Sequence, residues 1–286
     1  MPELPEVQTT VNGLNSTVRN KRIVAVSTTY KSSFYKNKEE IKNPEFFKKF
    51  KKAVLGQKVL KAERRAKNIL IHLSGGLTIL AHMKMTGYFF YNPPPGAQFI
   101  RLKFRLDNGK ILAFSDMRRF AKVTLLPTKT VHDSIHLKSL GPEPLDKNFQ
   151  FTIFNLQIQK KPKGKIKQVL MDQNIVAGIG NIYSDEILWR SGVHPLSTVG
   201  KIPEKNLRVM FRTIKETLAK GIDFGGDSMS DYRNIKGEKG DFQNHHRAYK
   251  KHKLPCEKNK CRGILERVRV GGRTAHFCAE HQRLFK

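Results

Sequence analysis

The first residues of the chain can carry out covalent chemistry. The sequence begins Met1-Pro2-Glu3-Leu4-Pro5-Glu6-Val7. Removal of Met1 would leave Pro2 with a free secondary amine, which can attack an electrophilic carbon and form an iminium ion directly. The Glu3 carboxylate follows as a candidate proton shuttle. In the alternative interpretation Pro2 is inert, and Glu3 and Glu6 are acidic residues of a first helical turn, where the helix dipole favours them.

A second chemical cluster lies at the other end of the chain. All three cysteines occur there, in the pattern Cys256-x4-Cys261-x16-Cys278-x2-His281, and the long spacer contains Gly271-Gly272. An odd number of cysteines argues against a disulfide framework. Two pairs of soft ligands on either side of a hairpin-length spacer predict one structural, four-coordinate zinc ion. His252 and His276 are alternatives to His281 as the fourth ligand.

A glycine-containing segment, Gly178-Ile179-Gly180-Asn181-Ile182, precedes a predicted helix. Glycines at this position allow backbone N–H groups to approach a phosphate. The segment lacks the third glycine of a dinucleotide-binding motif, and no Gly-Lys-Ser/Thr follows, which argues against a nucleotide cofactor. Lys163, Lys165 and Lys167 lie upstream and can neutralise phosphates, or they form an ordinary solvated run of charge.

The charge balance points to a polyanionic partner. The 286 residues include 54 Lys plus Arg against 24 Asp plus Glu, a formal net charge of +30. Nucleic acid is the favoured partner, although ribosomal RNA or an anionic membrane surface would explain the same charge. The sequence has no long apolar stretch, and its N-terminus is acidic where a secretory signal would be basic. We therefore expect a cytoplasmic protein with no membrane partner.

The elements that position these residues change character along the chain. Apolar residues at helical spacing predict an N-terminal helix that ends near Arg19. Alternating apolar and polar residues then predict a β-sandwich. The predicted strands are Ile23–Thr28, Val59–Leu73, Leu77–Tyr91, Phe99–Leu106 and Ile111–Phe114.

Beyond a loop at 127–144 the periodicity becomes helical. Helices are predicted at about Ile166–Gln173, Ile182–Ser191 and Glu204–Lys220, and a long mobile loop at Phe224–Lys251. The fold class is therefore α+β with several domains. The predicted divisions are 1–135 for the N-terminal helix and sandwich, 136–150 for a hinge, 151–250 for the helical domain and 251–286 for a zinc-binding hairpin.

Seven motifs in order carry a resemblance that covers essentially the whole chain. They are Met1–Val7, Arg64-Arg65-Ala66-Lys67, His82-Met83-Lys84-Met85-Thr86-Gly87, Asp116-Met117-Arg118-Arg119-Phe120, Leu140-Gly141-Pro142-Glu143-Pro144-Leu145, Gly178–Tyr183 and the terminal Cys/His cluster. Together they resemble the bacterial formamidopyrimidine-DNA glycosylase (8-oxoguanine-DNA glycosylase) family. The resemblance implies a β-sandwich, a helix-two-turn-helix domain with a lesion-recognition loop, and a β-hairpin zinc finger.

The same resemblance implies an activity and its residues. The family removes oxidised purines from duplex DNA as a monomeric glycosylase and abasic-site lyase, after the damaged nucleotide is flipped out of the helix. By similarity, Pro2 attacks the sugar C1′ and forms a Schiff base, and Glu3 exchanges a proton with the sugar. Lys67 assists β-elimination and Arg273 assists δ-elimination.

The resemblance also implies a set of DNA-binding residues. Met85, Arg118 and Phe120 match residues that fill the space left by the flipped base, where apolar wedges replace stacking and arginine can bond an orphaned cytosine. Lys167 and Asn181 match phosphate-binding positions. Glu6, Lys163 and Tyr183 complete the predicted DNA-binding set.

The sequence departs from the family at three places, one of which is the stretch from Gly96 to Arg101, which lacks the histidine that the family often places there as a DNA contact. The usual zinc pattern has Cys-x2-Cys and a final Cys where this chain has Cys-x4-Cys and His281, and the segment from Gly225 to Tyr232 begins like the family's recognition loop but then diverges. Two alternatives stay open from the sequence. One is an endonuclease VIII-like glycosylase for oxidised pyrimidines, and the other is a zinc-finger nucleic-acid binder without catalysis.

Overall fold

The protein is described here from a computed structural model that covers residues 1–286. The chain forms two compact units. The first contains residues Met1–Lys138 and Phe224–Asp241, and the second contains Ser139–Asp223 and Phe242–Lys286. No helix has the combination of length and hydropathy that a membrane span requires.

The first unit contains two antiparallel four-stranded sheets, in the orders β1-β6-β7-β5 and β2-β3-β4-β8. Its elements are α1 (Leu4–Thr17), β1 (Ile23–Thr28), α2 (Pro44–Val54), β2 (Val59–Arg65), β3 (Asn68–Leu73), β4 (Leu77–His82), β5 (Gly87–Tyr91), β6 (Ile100–Leu106), β7 (Ile111–Asp116) and β8 (Lys122–Pro127). Short 3₁₀ helices occur at Ser33–Tyr35 and Thr128–Asp133. One apolar core joins α1 to residues of both sheets, including Val7, Leu14, Ile69, Phe89 and Phe114.

Two predicted long strands were wrong, because each is interrupted by a turn. Val59–Leu73 is the β2–β3 hairpin, which turns at Ala66 with φ 53°. Leu77–Tyr91 is divided into β4 and β5, and Lys84 between them has φ 55°. Neither Ala66 nor Lys84 is the glycine or proline that normally occupies such a turn position, and residues with a Cβ rarely adopt a positive φ.

Helix α2 and strand β8 were not predicted, although α2 has a recognisable start. Asn43 caps it by accepting the backbone N–H of Glu45 at 3.1 Å, and Pro44 occupies its first turn. This combination is typical of a helix N-terminus. Strand β8 pairs along its whole length with β4.

The segment Phe224–Asp241, predicted as part of a mobile loop, folds onto the first unit. Tyr232 and Ile235 are buried, and the backbone N–H of Tyr91 donates to the Ile235 carbonyl oxygen at 2.7 Å. Ile235 also packs so closely on Gly13 of α1 that any larger residue there would overlap it. The backbone N–H of Asp241 donates to the Phe224 carbonyl oxygen at 2.7 Å and closes the base of the segment.

The second unit is helical and ends in a hairpin. It contains α3 (Phe151–Ile158), α4 (Ile166–Met171), α5 (Asn181–Ser191), α6 (Glu204–Asp223), β9 (Leu265–Val270) and β10 (Arg273–Cys278), with 3₁₀ helices at Val199–Lys201 and Phe242–His245. Helix α3 was not predicted. Strands β9 and β10 pair in register around Gly271 and Gly272, whose positive φ angles of 53° and 76° form the turn.

Candidate active site and metal centre

The N-terminal residues are fixed by the start of α1. Glu3 is the N-cap, and its backbone N–H donates to the Glu6 carboxylate at 2.7 Å as one half of a reciprocal capping box. Such a box satisfies backbone donors that the first helical turn leaves open. Pro2 is buried directly before this cap, and Glu3 is 2% exposed. The helix therefore holds Pro2 and the Glu3 carboxylate at one defined place.

Glu6 connects this helix start to the segment Phe224–Asp241. The second oxygen of its carboxylate accepts the backbone N–H of Asp227 at 2.7 Å, and its carbonyl oxygen accepts the Tyr232 hydroxyl at 3.0 Å. Burial raises the pKa of Tyr232, with a smaller contribution from the Glu6 charge. Glu6 is itself 1% exposed. The prediction that Glu6 contacts DNA therefore needs correction, because both carboxylate oxygens accept backbone hydrogen bonds inside the unit.

Lys67 lies in the β2–β3 turn, near a partly buried histidine, His82, to which the sequence analysis gave no role. Lys67 is 6% exposed. Burial and, to a smaller extent, the charges of Lys84, Lys67 and Lys122 together lower the pKa of His82 to about 3. His82 is therefore a neutral imidazole at neutral pH. Its Nδ1 accepts the backbone N–H of Lys84 at 3.0 Å, so the ring hydrogen is carried by Nε2.

The structure brings Met85, Arg118 and Phe120 together on two turns of the first unit. Met85 is 38% exposed and Phe120 is 50% exposed, whereas most apolar side chains of this unit are buried. The Arg118 guanidinium carbon lies 4.6 Å from the centre of the Phe120 ring. We call these three residues the wedge. Exposed apolar surface of this kind marks an interaction site.

A buried carboxylate fixes both turns of the wedge. Asp116 is fully buried and accepts the Thr86 hydroxyl at 2.8 Å, the Tyr30 hydroxyl at 2.7 Å and the backbone N–H of Ala121 at 2.9 Å. The backbone N–H of Arg118 in turn donates to the Thr86 hydroxyl at 3.0 Å. Asp116 thus joins the Met85 turn to the Arg118 turn, a link that the sequence analysis did not identify.

In the second unit, Lys167 lies in the interior. It is 0% exposed, and its Nζ contacts the Asp185 carboxylate at 2.6 Å and the Ser184 hydroxyl at 3.0 Å. The other Asp185 oxygen accepts the backbone N–H of His276 at 3.0 Å and its Nδ1–H at 2.9 Å. The predicted direct phosphate contact of Lys167 does not agree with this burial. Its charge is instead paired with a carboxylate that also holds strand β10.

Tyr183 also differs from its predicted role. The side chain is 0% exposed, and its ring stacks on Phe242 at 4.8 Å with an interplanar angle of 19°. Tyr183 therefore packs inside the unit rather than presenting its ring to DNA. Asn181 begins helix α5, and its side-chain oxygen has no hydrogen-bond partner although it is buried. Lys163 is exposed, as its predicted role requires.

Arg273 is an exposed residue at the start of β10, directly after the hairpin turn. Gly271 of that turn lies against Gln168 of α4, where a Cβ would overlap the glutamine side chain. The turn therefore places Arg273 near α4. Pro2, Glu3, Lys67 and the wedge belong to the first unit, whereas Arg273, Lys163 and Asn181 belong to the second.

The four predicted metal ligands converge. One donor atom from each of Cys256, Cys261, Cys278 and His281 lies within 4.8 Å of every other. The Cys261 and Cys278 sulfurs are 3.6 Å apart, and the Cys256 sulfur is 3.3 Å from His281 Nδ1. Bond lengths of about 2.3 Å for Zn–S and about 2.0 Å for Zn–N place the donors of a tetrahedron roughly 3.5–3.8 Å apart. The donor set and its spacing fit a tetrahedral metal ion.

Neighbouring groups orient these donors. The His281 Nε2–H donates to the Trp189 carbonyl oxygen at 3.0 Å, which leaves the Nδ1 lone pair directed at the cluster. The indole N–H of Trp189 donates to the Cys256 sulfur at 3.3 Å, and the backbone N–H of Gly263 donates to the Cys261 sulfur at 3.4 Å. His276, a rival ligand in the sequence analysis, is bound to Asp185 instead. His281 is therefore the histidine of the cluster.

Comparison with known proteins finds the same family along the chain. The model of the formamidopyrimidine-DNA glycosylase N-terminal domain matches residues 1–123, and the model of its H2TH domain matches residues 140–233. Formamidopyrimidine-DNA glycosylase of Ruegeria pomeroyi is 34% identical, with 99% of this chain and 100% of the relative covered. The protein of the same name from Ligilactobacillus salivarius is 33% identical, with 99% of each chain covered.

Solved structures agree with these matches. The complex of Lactococcus lactis Fpg with DNA containing an abasic site has a TM-score of 0.87 and 28% identity, and the alignment covers 98% of this chain and 99% of that one. The structure of MutM with DNA containing carbocyclic 8-oxo-G has a TM-score of 0.86 and 28% identity, with 99% and 100% covered.

Proposed function

The chain belongs to the formamidopyrimidine-DNA glycosylase family, and from this premise we propose that it excises oxidised purines from duplex DNA and then cleaves the backbone at the abasic site. The observation that carries the proposal is the buried Pro2–Glu3 pair at a capped helix start, in a unit that also presents an exposed wedge. The nucleophile and the residues that would replace a flipped base occur together.

The proposed reaction begins at the Pro2 nitrogen, freed by loss of Met1. The nitrogen bonds to the sugar C1′, and the bond from C1′ to the oxidised base breaks with the electron pair leaving on the base. The proline nitrogen then gives up its remaining hydrogen as a proton, and the sugar ring opens to a Schiff base as the C1′–O bond breaks and Glu3 donates a proton to the sugar oxygen. Burial of Glu3 beside Pro2 supports this role, because it excludes bulk water from the proton transfer.

The remaining site residues have proposed roles in holding DNA. Lys67 would bind a phosphate and assist β-elimination, and Arg273 would bind a phosphate and assist δ-elimination. The two eliminations together would leave a one-nucleotide gap. The wedge would fill the space of the flipped base. Lys163 and Asn181 would contact phosphates. For Glu6, Lys167 and Tyr183 we propose supporting roles behind the DNA surface, because each is buried among partners.

Reductive trapping tests the proposed nucleophile. Borohydride reduces the iminium ion to a stable amine, so we expect a covalent adduct between the native chain and a duplex containing 8-oxoguanine opposite cytosine. Pro2→Gly should lose this adduct, whereas Pro5→Ala, which removes a proline from the same helix start, should retain it. Mass spectrometry should find that Met1 is absent from the active chain. An adduct equally abundant in Pro2→Gly would refute the mechanism.

We propose that Cys256, Cys261, Cys278 and His281 bind one structural zinc ion, which would join the segment before β9 to the end of β10. Burial raises the pKa of the Cys278 thiol to about 11, so metal must displace its proton and affinity should fall as the solution is acidified. Metal analysis should find one zinc per native chain. Cys256→Ser should lose both zinc and DNA binding, while His252→Gln should keep both. Stoichiometric zinc in Cys256→Ser would refute the ligand set.

The same proposal covers organisation and location. We propose that the chain acts as a monomer on double-stranded DNA in the bacterial cytoplasm. We propose that the chain is divided by function into the N-terminal helix and sandwich (1–135), a hinge (136–150), the helical domain (151–250) and the zinc-binding hairpin (251–286). The predicted recognition loop within 151–250 is anchored on α1 by Tyr232 and Ile235, which supports a role close to Pro2.

A further inference from the structure

Three lysines outside the proposed machinery come together beside the Met85 turn. Lys122 pairs with His82 across strands β8 and β4, and Lys84 lies in the turn that follows His82. The backbone N–H of Ile41 donates to the Val123 carbonyl oxygen at 3.1 Å, which brings Lys42 to the same place. All three lysines belong to the first unit.

One of these lysines already has a counter-charge. Lys42 is 3% exposed, and its Nζ lies 2.8 Å from the Glu40 carboxylate and 4.6 Å from the centre of the Tyr35 ring. An ion pair buried to this extent fixes the side chain and neutralises its charge. Lys42 is therefore a buried, paired side chain and does not offer a free positive charge to a ligand.

Lys84 and Lys122 lack such compensation. Burial lowers the pKa of Lys84, and the charge of Lys122 lowers it further; the Glu40 carboxylate, which acts in the opposite direction, is already paired with Lys42. Lys84 also has a φ of 55°, a conformation that is unfavourable for a residue with a Cβ. Lys84 therefore combines backbone strain with repulsion from Lys122. A bound anion would relieve the repulsion between the two ammonium groups.

The position of the pair identifies the anion. Lys84 directly precedes Met85 of the wedge, and the charges of Lys67, Lys84 and Lys122 all act on the His82 imidazole between them. Lys122 and Asn68, the residue after Lys67, pair with His82 from opposite sides, so a polyanion that reaches both Lys67 and the wedge comes close to this pair. We propose that Lys84 and Lys122 together bind one backbone phosphate of the DNA beside the wedge, an inference that rests on the proposed function.

A double variant tests this site without disturbing the turn. Lys84→Gly accepts a positive φ without strain, and Lys122→Gln keeps most of the side-chain stem. The matched control is Lys103→Gln with Lys110→Gln, which removes the same charge from exposed positions of the same unit. For an abasic-site duplex, the slope of log affinity against log salt should become about 0.9 less steep in the Lys84/Lys122 variant. Its affinity should fall about tenfold, as for loss of one charged contact. The control should keep the native slope.

Single neutral methylphosphonates along the duplex locate the phosphate. One position should weaken binding of the native chain and of the control about tenfold, and should leave the affinity of the Lys84/Lys122 variant unchanged. Borohydride trapping at saturating DNA should proceed at the native rate in both variants, because neither removes a residue of the proposed reaction. Suppose that the Lys84/Lys122 variant traps at the native rate and keeps the native salt slope, or that no methylphosphonate position weakens only the native chain and the control. Either result would overturn the lysine site and leave the proposed function intact. Absence of trapping or duplex binding by the native chain would overturn the proposed function as well.

Discussion

The buried Lys167–Asp185 pair allows a quantitative test of the second unit. Both side chains are 0% exposed, and Asp185 also accepts two hydrogen bonds from His276. Replacing Asp185 by Asn leaves a buried ammonium without its counter-charge. Breaking a buried pair in this way costs about 3–5 kcal/mol. With a urea m-value of ~2 kcal/mol/M, the midpoint of unfolding should fall by roughly 2 M.

The assay uses the fluorescence of Trp189, the only tryptophan in the chain, which lies on the same helix as Asp185. Its signal reports unfolding of the second unit. A matched control is Asp172→Asn, which breaks the more exposed Lys161–Asp172 pair and should cost at most about 1 kcal/mol.

A double variant separates the ion pair from the hydrogen bonds. Asp185→Asn combined with Lys167→Met removes both charges and keeps an oxygen for the His276 donors. The double variant should therefore be less destabilised than the sum of the single variants by about 2–3 kcal/mol. Additive effects, or a loss below about 1 kcal/mol for Asp185→Asn, would refute the assignment of a strong buried pair.

Two further predictions concern the first unit. The pKa of His82 lies near 3 in the fold and near 6.5 in the unfolded chain, so below pH 6.5 only the unfolded chain gains this proton. The free energy of unfolding should consequently fall by up to about 1.4 kcal/mol per pH unit between pH 6 and 4. His82→Asn should lack this contribution, so its free energy of unfolding should fall less steeply over the same range. Equal slopes for the two proteins would contradict the prediction. Gly226 has φ 87° and a Cβ there would lie 3.0 Å from Glu6. Gly226→Ala should cost about 1–2 kcal/mol in urea unfolding and reduce trapping, whereas Gly96→Ala, strained in φ but in open space, should leave trapping unchanged.

The sequence predicted most of what depends on short-range order. The N-terminal helix, strand β1 and the helices at Ile166, Ile182 and Glu204 follow from periodicity, because one face of each must be buried. The spacing on either side of a hairpin predicts Cys256, Cys261 and Cys278 as metal ligands, and it leaves His281, His252 and His276 as alternatives for the fourth. Pro2 follows from residue type as a candidate nucleophile, whereas the wedge residues were found only through motifs that resemble a family, since nothing in the local pattern distinguishes Met85 or Phe120 from core residues.

The tertiary structure decided which of these side chains are accessible. Lys167 and Tyr183 occur in a basic, glycine-containing region that looks exposed in sequence, yet Asp185 and Phe242 bury them from distant positions. Glu6 likewise binds Asp227, which lies far along the chain. The turns at Ala66 and Lys84 place residues other than glycine at a positive φ.

The opening residues show this division most clearly. Their order alone provides a secondary amine next to a carboxylate, which is a property of residue type and adjacency. Whether that carboxylate is buried, and what holds the helix start in place, depends on Glu6 accepting hydrogen bonds from both ends of the first unit. Contacts between positions so distant in sequence leave no periodicity to detect, because they are set by packing of the whole unit.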